Sequence, residues 1–203
     1  MFRYHPAFRF ALEAARSGLL GRVFAVHGDI GSEMLMERRV ELAQRYGGSI
    51  MLLGSHLVDL AIAVMGVPAK VCVTRHQSFP EHDNYYDNEV AVLDYPAGSA
   101  VIRCLNSEVN GGKRRQFYIF GQNGTVEILP IEPAHVQLSL KEARGGFKAG
   151  TQKVNLPAVT GRYDEMMQDF ARLIRGEKSV VPQFDAAFEL ASHRTVLKIA
   201  KRD

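Results

Sequence analysis

Gln116-Phe117-Tyr118-Ile119-Phe120-Gly121-Gln122-Asn123-Gly124-Thr125-Val126-Glu127-Ile128 reads as two short strands joined by a turn. Phe117 and Ile119, then Val126 and Ile128, recur at a period of two, the spacing of a half-buried strand and not of a helix. Gly121-Gln122-Asn123-Gly124 supplies the turn. The same pattern extends in both directions. Upstream, Val71/Val73, Val90/Val92 and Val101/Arg103/Leu105 alternate, separated by turn signals at Asp87-Asn88, Pro96-Ala97-Gly98 and Asn110-Gly111-Gly112. Downstream, Val136/Leu138/Leu140 and the segment Lys153–Leu156 predict two further strands. Hairpins this closely spaced imply a large antiparallel meander.

Helical periodicity flanks this run. Residues 6–18 predict an amphipathic helix with Pro6 in its first turn, and Phe8, Ala11, Leu12 and Ala15 on one face. Ser17-Gly18 stops it, and a strand from Arg22 to Ile30 follows. The charged stretch from Gly31 to Arg45 predicts a loop with a short helix. Residues 49–65 predict another helix, ended by Gly66 and Pro68. Late in the chain, Tyr163, Met166, Met167, Phe170, Leu173 and Ile174 recur at helical spacing up to Gly176. A last helix runs from about Phe184 to Lys201, with Asp185 and Lys198 placed to suit its dipole. The expected class is α+β: one domain over residues 1–203, a large open and mostly antiparallel sheet with helices packed on one face. Ala91/Leu93/Tyr95 and Gln116/Tyr118/Phe120 give the second sheet face apolar character as well. Such a face needs a cover: self-association into a homo-oligomer, usually two-fold, would supply one, and coverage by the chain's own loops is the alternative.

Composition narrows the function. The 203 residues are 46% hydrophobic and 23% charged, with a net charge of +3, as in an ordinary soluble globule. The basic residues are dispersed apart from Lys113-Arg114-Arg115, which reads as a solvated strand end, so nucleic acid is not expected as a partner. Cys72 and Cys104 sit in apolar runs without a Cys-x-x-Cys motif and are expected to be reduced. No apolar signal region follows Met1. The apolar stretch from Ile50 to Val67 is too interrupted to span a membrane, so a cytoplasmic protein is expected.

One segment carries chemistry. In Gly47-Gly48-Ser49-Ile50-Met51-Leu52-Leu53-Gly54-Ser55-His56-Leu57-Val58-Asp59-Leu60 a glycine pair leads into an apolar helix bearing a histidine and, three residues on, an aspartate. An imidazole with an ordinary pKa near 6.5 suits a general base for a hydroxyl proton. Asp59 could orient it or anchor the helix.

This segment resembles the active-site helix of the glucose–fructose oxidoreductase, inositol dehydrogenase and rhizopine catabolism oxidoreductase family. Three further stretches are similar to that family in the same order: Phe2-Arg3-Tyr4-His5-Pro6-Ala7 with Ser17–Val23, then Phe120–Glu127, then Asp169–Glu177. The resemblance covers essentially the whole chain. It implies the C-terminal, substrate-binding and oligomerisation domain of an oxidoreductase that uses NAD or NADP on a sugar-like or cyclitol-like alcohol. His56 is then the catalytic candidate, with Arg3, Tyr4 and Asp59 as substrate-binding candidates. It also implies an N-terminal Rossmann domain, which this sequence lacks, with Met1 falling about where the second domain would begin. No glycine-rich dinucleotide fingerprint occurs, since Gly121–Gly124 and Gly145-Gly146 do not open a helix after a strand. No cofactor is expected to bind this chain alone, and turnover by it alone is not expected. Leu52 stands where the resemblance predicts an aspartate one turn before His56. A non-catalytic binding or scaffold protein derived from the family is therefore the rival expectation.

Other constellations are weaker. His76, Glu81, His82 and Asp83 lack the spacing of a helical zinc site. Gly54-Ser55-His56 is not a nucleophile elbow. His135 and His193 read as packing or surface residues.

Overall fold

The chain folds around strand β1 (Val23–Gly31), which takes an interior place in an eight-stranded sheet. The computed structural model describes residues 1–45, 47–159, 161–181 and 184–201. Helix α1 (Pro6–Arg16) precedes β1, and α2 (Met36–Arg45) follows it. A π-helical turn, Ile50–Gly54, then runs into α3 (Ser55–Met65). Seven strands come next: β2 (Lys70–His76), β3 (Asn88–Tyr95), β4 (Gly98–Leu105), β5 (Gln116–Gly121), β6 (Gly124–Ile128), β7 (Val136–Leu140) and β8 (Gly150–Lys153). Helices α4 (Asp164–Ile174) and α5 (Ala186–Ile199) close the chain. The class is α+β, as the strand and helix periodicities predict.

The strand order is β2-β3-β4-β1-β5-β6-β7-β8. Every pairing is antiparallel except β1 with β4, which run parallel with Val26 opposite Ala100. The simple meander is thus corrected: β1 separates β2–β4 from β5–β8. The last strand is also displaced, to Gly150–Lys153 in place of Lys153–Leu156, because the Gly145-Gly146 turn brings Gly150 opposite Leu140. Val154 still packs under the sheet, and its N–H is donated to the Val136 carbonyl.

One face of the sheet carries α1, α3 and α5. His5 caps α1 by accepting the Ala7 N–H on Nδ1, and Pro6 occupies the first helical position, where no N–H is needed. Buried Ala7, Phe8, Ala11 and Leu12 then pack towards β5 and β6. Leu57, Val58, Leu60 and Ala61 of α3 are fully buried against β1 and β4, each large side chain contributing about 2 kcal/mol by removal from water. The close approach depends on Gly28 of β1: a β-carbon there would lie 2.9 Å from Leu57 Cδ1.

The core face of β3 and β4 consists of Ala91/Leu93/Tyr95 and Ala100/Ile102/Cys104. Val90/Val92 and Val101/Arg103/Leu105 point to the open face. Pairing fixes this choice, since Val71 and Val73 of β2, which pack against the core, lie opposite Leu93 and Ala91. Both sets are apolar, so periodicity alone left the choice open.

Candidate functional site

The segment that carries His56 is pinned at its start by a buried carboxylate. Glu89 of β3 accepts hydrogen bonds from the Ile50 N–H (2.8 Å) and Ser49 Oγ (2.9 Å), taking up a donor that the first turn leaves without an intrahelical partner. Arg75 completes the anchor, donating to Glu89 at 2.6 Å, to the Ala200 carbonyl at 2.9 Å and to the Gly47 carbonyl. Gly48 has φ +103°, a conformation that side chains rarely adopt, and a β-carbon there would strike Glu89. Cys104 donates its thiol to the Ser49 carbonyl (3.2 Å), and burial pushes that thiol up to about 12. The glycine pair of the motif therefore forms a tight corner over the part-buried Arg75–Glu89 ion pair.

The sequence predicts one α-helix over 49–65. The structure instead makes its first part a π-helical turn, a feature frequent at functional sites. The wider turn changes how Leu52 and His56 align, so the one-turn relation expected of these two positions does not hold in simple α-helical form. Leu52 is half-buried.

His56 stands in the first turn of α3, its ring 5.3 Å from that of Phe2 and tilted by 48°. It lines a cleft of about 500 Å³ together with Arg3, Tyr4, Met51, Asp59 and Met166. Burial, then the amino-terminal charge, lower its pKa below 6.5; Asp59 opposes this, and Arg115 and Arg162 reinforce it. The imidazole is thus neutral near pH 7, the form that accepts a proton.

The other three candidates line the same cleft but are engaged with protein groups. Arg3 forms a bidentate pair with Asp59, Nε–Oδ2 at 2.8 Å and Nη2–Oδ1 at 2.5 Å, and also bonds Glu189 of α5. Its guanidinium lies over the rings of Phe184 (4.3 Å) and Phe188 (5.1 Å). Burial alone would depress Arg3, but the bonds to Asp59 and Glu189 outweigh it and hold its pKa above the ordinary value. Asp59 also accepts from Ser192 Oγ at 3.1 Å. Tyr4 donates its hydroxyl to buried Asp169 (3.0 Å), and burial followed by that bond pushes the phenol up to about 12. These contacts tie the amino-terminal segment to α3, α4 and α5.

A second hollow, of about 140 Å³, is lined by Phe2, Tyr4, His5, Glu132, Arg162 and Glu165. Arg115 and Arg162 converge on one carboxylate of its lining: Arg115 Nη1 reaches Glu132 at 3.1 Å and Arg162 Nη2 reaches it at 2.6 Å. No local sequence pattern marks this trio. Arg115 was hidden in a basic triplet, and three distant segments meet only in the fold.

The remaining sequence candidates are placed elsewhere. Asp83 is turned inward onto Arg39, which is 1% exposed and also pairs with Asp87 at 2.8 Å. His82 lies near Glu81 on the surface. No group of three or more metal-capable side chains occurs among the described residues. The glycine runs at 121–124 and 145–146 form turns between antiparallel strands, so they do not fit the pyrophosphate of a dinucleotide. No helix among the described residues is long and apolar enough to cross a membrane.

A sequence profile of the GFO/IDH/MocA C-terminal domain matches residues 8–127. The chain belongs to that family. This GFO/IDH/MocA domain is an oxidoreductase C-terminal domain, in agreement with the resemblance carried by its four motifs. Comparison with curated proteins finds none that matches. Among solved structures, an NAD binding oxidoreductase from Klebsiella pneumoniae superposes with a TM-score of 0.82 at 14% identity, over 100% of this chain and 63% of that one. An oxidoreductase from Agrobacterium radiobacter, in complex with NAD+, L-tartaric acid and magnesium, gives 0.76 at 15% identity, over 99% and 60%. An aldose-aldose oxidoreductase from Caulobacter crescentus, complexed with glycerol, gives 0.75 at 18% identity, over 98% and 60%. At these identities the likeness concerns the fold. The GFO/IDH/MocA domain spans about 60% of the length of these neighbours.

Proposed function

We propose that this chain is the substrate-binding and oligomerisation domain of an NAD(P)-dependent oxidoreductase acting on a sugar-like or cyclitol-like alcohol. The observation that carries the reading is a neutral imidazole, His56, lining a cleft of about 500 Å³ on the motif helix of a GFO/IDH/MocA fold. His56 would accept the proton of the substrate hydroxyl as the carbinol is oxidised. Arg3 and Asp59, locked together, form one wall of the cleft, and Tyr4 another. The hydride acceptor belongs to a nucleotide-binding domain, and no step of it is assigned to residues of this chain.

Two features support such a partner domain. The chain spans about 60% of its structural neighbours, one of which is described with NAD+ and another as NAD binding. The apolar stripe of α4, comprising Met167, Phe170 and Ile174, is more than half exposed, and the adjacent Met166 lines the cleft. Hydroxylated compounds accompany two neighbours, L-tartaric acid in one and glycerol in the other, which favours a polyol-like ligand. For self-association the support is the open sheet face, where Cys72, Val92, Val101, His27 and Tyr118 lie side by side in register across five strands.

The test is ligand titration of the 203-residue chain followed at the His56 imidazole resonances. Sugars, polyols or cyclitols should shift them saturably, and His56→Ala should abolish binding or, in a form joined to a nucleotide domain, turnover. Absence of any saturable shift overturns the reading. Leu52 favours the second reading, a binding or scaffold domain without catalysis. In a joined form Leu52→Asp should raise the rate if only that carboxylate is wanting, whereas efficient NAD(P)-dependent oxidation by the native sequence removes this second reading.

A further inference from the structure

The charge around His56 is one-sided. Arg115 and Arg162 both weigh on the imidazole against Asp59, and Arg162 lines the 140 Å³ hollow. Asp59 is taken by Arg3 and Ser192. Near the hollow, Glu165 is paired with Arg9 at 3.2 Å, and Asp164 lies against the backbone of Gly161. Glu132 is shared by two guanidiniums, those of Arg115 and Arg162.

The donors are also unequally used. A guanidinium has five N–H donors in a planar fork suited to a carboxylate. Arg115 directs Nε to the Gly31 carbonyl (2.8 Å) and Nη1 to Glu132, and Arg162 directs Nη2 to Glu132. Arg162 is 56% exposed, so its fork is open to the hollow and to solvent. Phe2 joins the two places: its ring flanks His56, and it also lines the hollow that holds Glu132 and Arg162.

We infer that the ligand oriented at His56 carries a carboxylate, received by Arg162, which Glu132 positions together with Arg115, so that the substrate class is a sugar acid and not a neutral sugar. The inference rests on the alcohol-oxidation reading and narrows it. A hydroxyl would face His56 in the cleft while the carboxylate reaches past Phe2 to the Arg162 guanidinium. Glu132 holds Arg162 in place when no acid is bound and competes with the acid when one is.

The experiment compares D-gluconate with sorbitol, which differ in a carboxylate against a hydroxymethyl group, by titration of the full chain. Gluconate should bind roughly tenfold more tightly, as expected of a charge-assisted bidentate contact in a partly solvated site. Its affinity should fall with added salt while that of sorbitol does not. Arg162→Gln, at an exposed position, should bring the gluconate-to-sorbitol ratio close to one. Glu132→Gln should raise the ratio, because the competing carboxylate is gone; a purely structural Glu132 gives no such gain. Equal binding of the two ligands, or a ratio unmoved by both substitutions, overturns the sugar-acid inference and leaves the polyol reading standing. No saturable binding of either overturns both.

Discussion

The ring of Phe2 stands 5.3 Å from that of His56 and stacks on Phe8 at 4.6 Å, so one buried phenylalanine joins the candidate base to the hydrophobic core. Phe2 is what keeps water from one side of the imidazole. Phe2→Ala should cost about 3 kcal/mol of stability by opening a cavity. It should also raise the His56 pKa towards 6.5, because the dominant cause of its depression is burial. Denaturant melts and an imidazole titration by NMR measure the two effects separately. A depressed pKa that survives the substitution would show that charge, not burial, governs the ring.

Stability should decline on mild acidification. His56 and His5 both have folded pKa values below 6.5, in each case chiefly through burial; for His5 the nearby Glu132 and Glu165 oppose it. The unfolded chain therefore takes up protons first. The contribution is complete above pH 6.5 and is lost progressively as pH falls from 6.5 to the folded values. Urea denaturation between pH 7.5 and 5 should show the loss, and His56→Asn should shrink it. A flat profile over that interval contradicts the assignment of buried neutral imidazoles.

Glu89 governs the geometry of the motif corner. Glu89→Gln keeps the shape but leaves the half-buried Arg75 without its counter-ion, and should cost about 3 kcal/mol. If the corner positions His56, the same variant should weaken polyol binding well beyond what its folded fraction explains. A stability loss with unchanged affinity of the folded protein would restrict Glu89 to the scaffold.

Val101 sits on the open sheet face opposite His27 of β1. If that face is covered by a second copy, Val101→Glu places charge in the contact and should convert the oligomer to monomer in sedimentation velocity. As a half-buried substitution on a solvated strand face it should change monomer stability by less than about 1 kcal/mol. An unchanged sedimentation coefficient would place any self-association elsewhere.

Much of the architecture is legible in local pattern. Alternation at Phe117/Ile119 and Val126/Ile128, with a glycine turn between, encodes a hairpin by itself, and Asp185 marks the start of α5, where it accepts the Phe188 N–H. What local pattern does not encode is which strands become neighbours. Nothing in Val23–Gly31 announces that it pairs with β4 and β5. Strands apolar on both faces, such as β3, do not reveal which face is inward until Val71 and Val73 fix it. The site divides the same way. His56 and Asp59 are close in sequence and were visible, whereas the bonds that occupy Arg3 and Tyr4, and the meeting of Arg115, Glu132 and Arg162, depend on separations of tens of residues.

The interior place of β1 bears on how the molecule assembles. The strands β2–β4 and β5–β8 can each form from contacts between sequence neighbours, but β1 joins them only after two long loops have closed, an entropic cost incurred before any reward. Until then β4 and β5 each present a bare hydrogen-bonding edge, the kind of surface that captures another chain. The slow step of refolding should therefore be the insertion of this early segment, and recovery of native protein should fall as concentration rises.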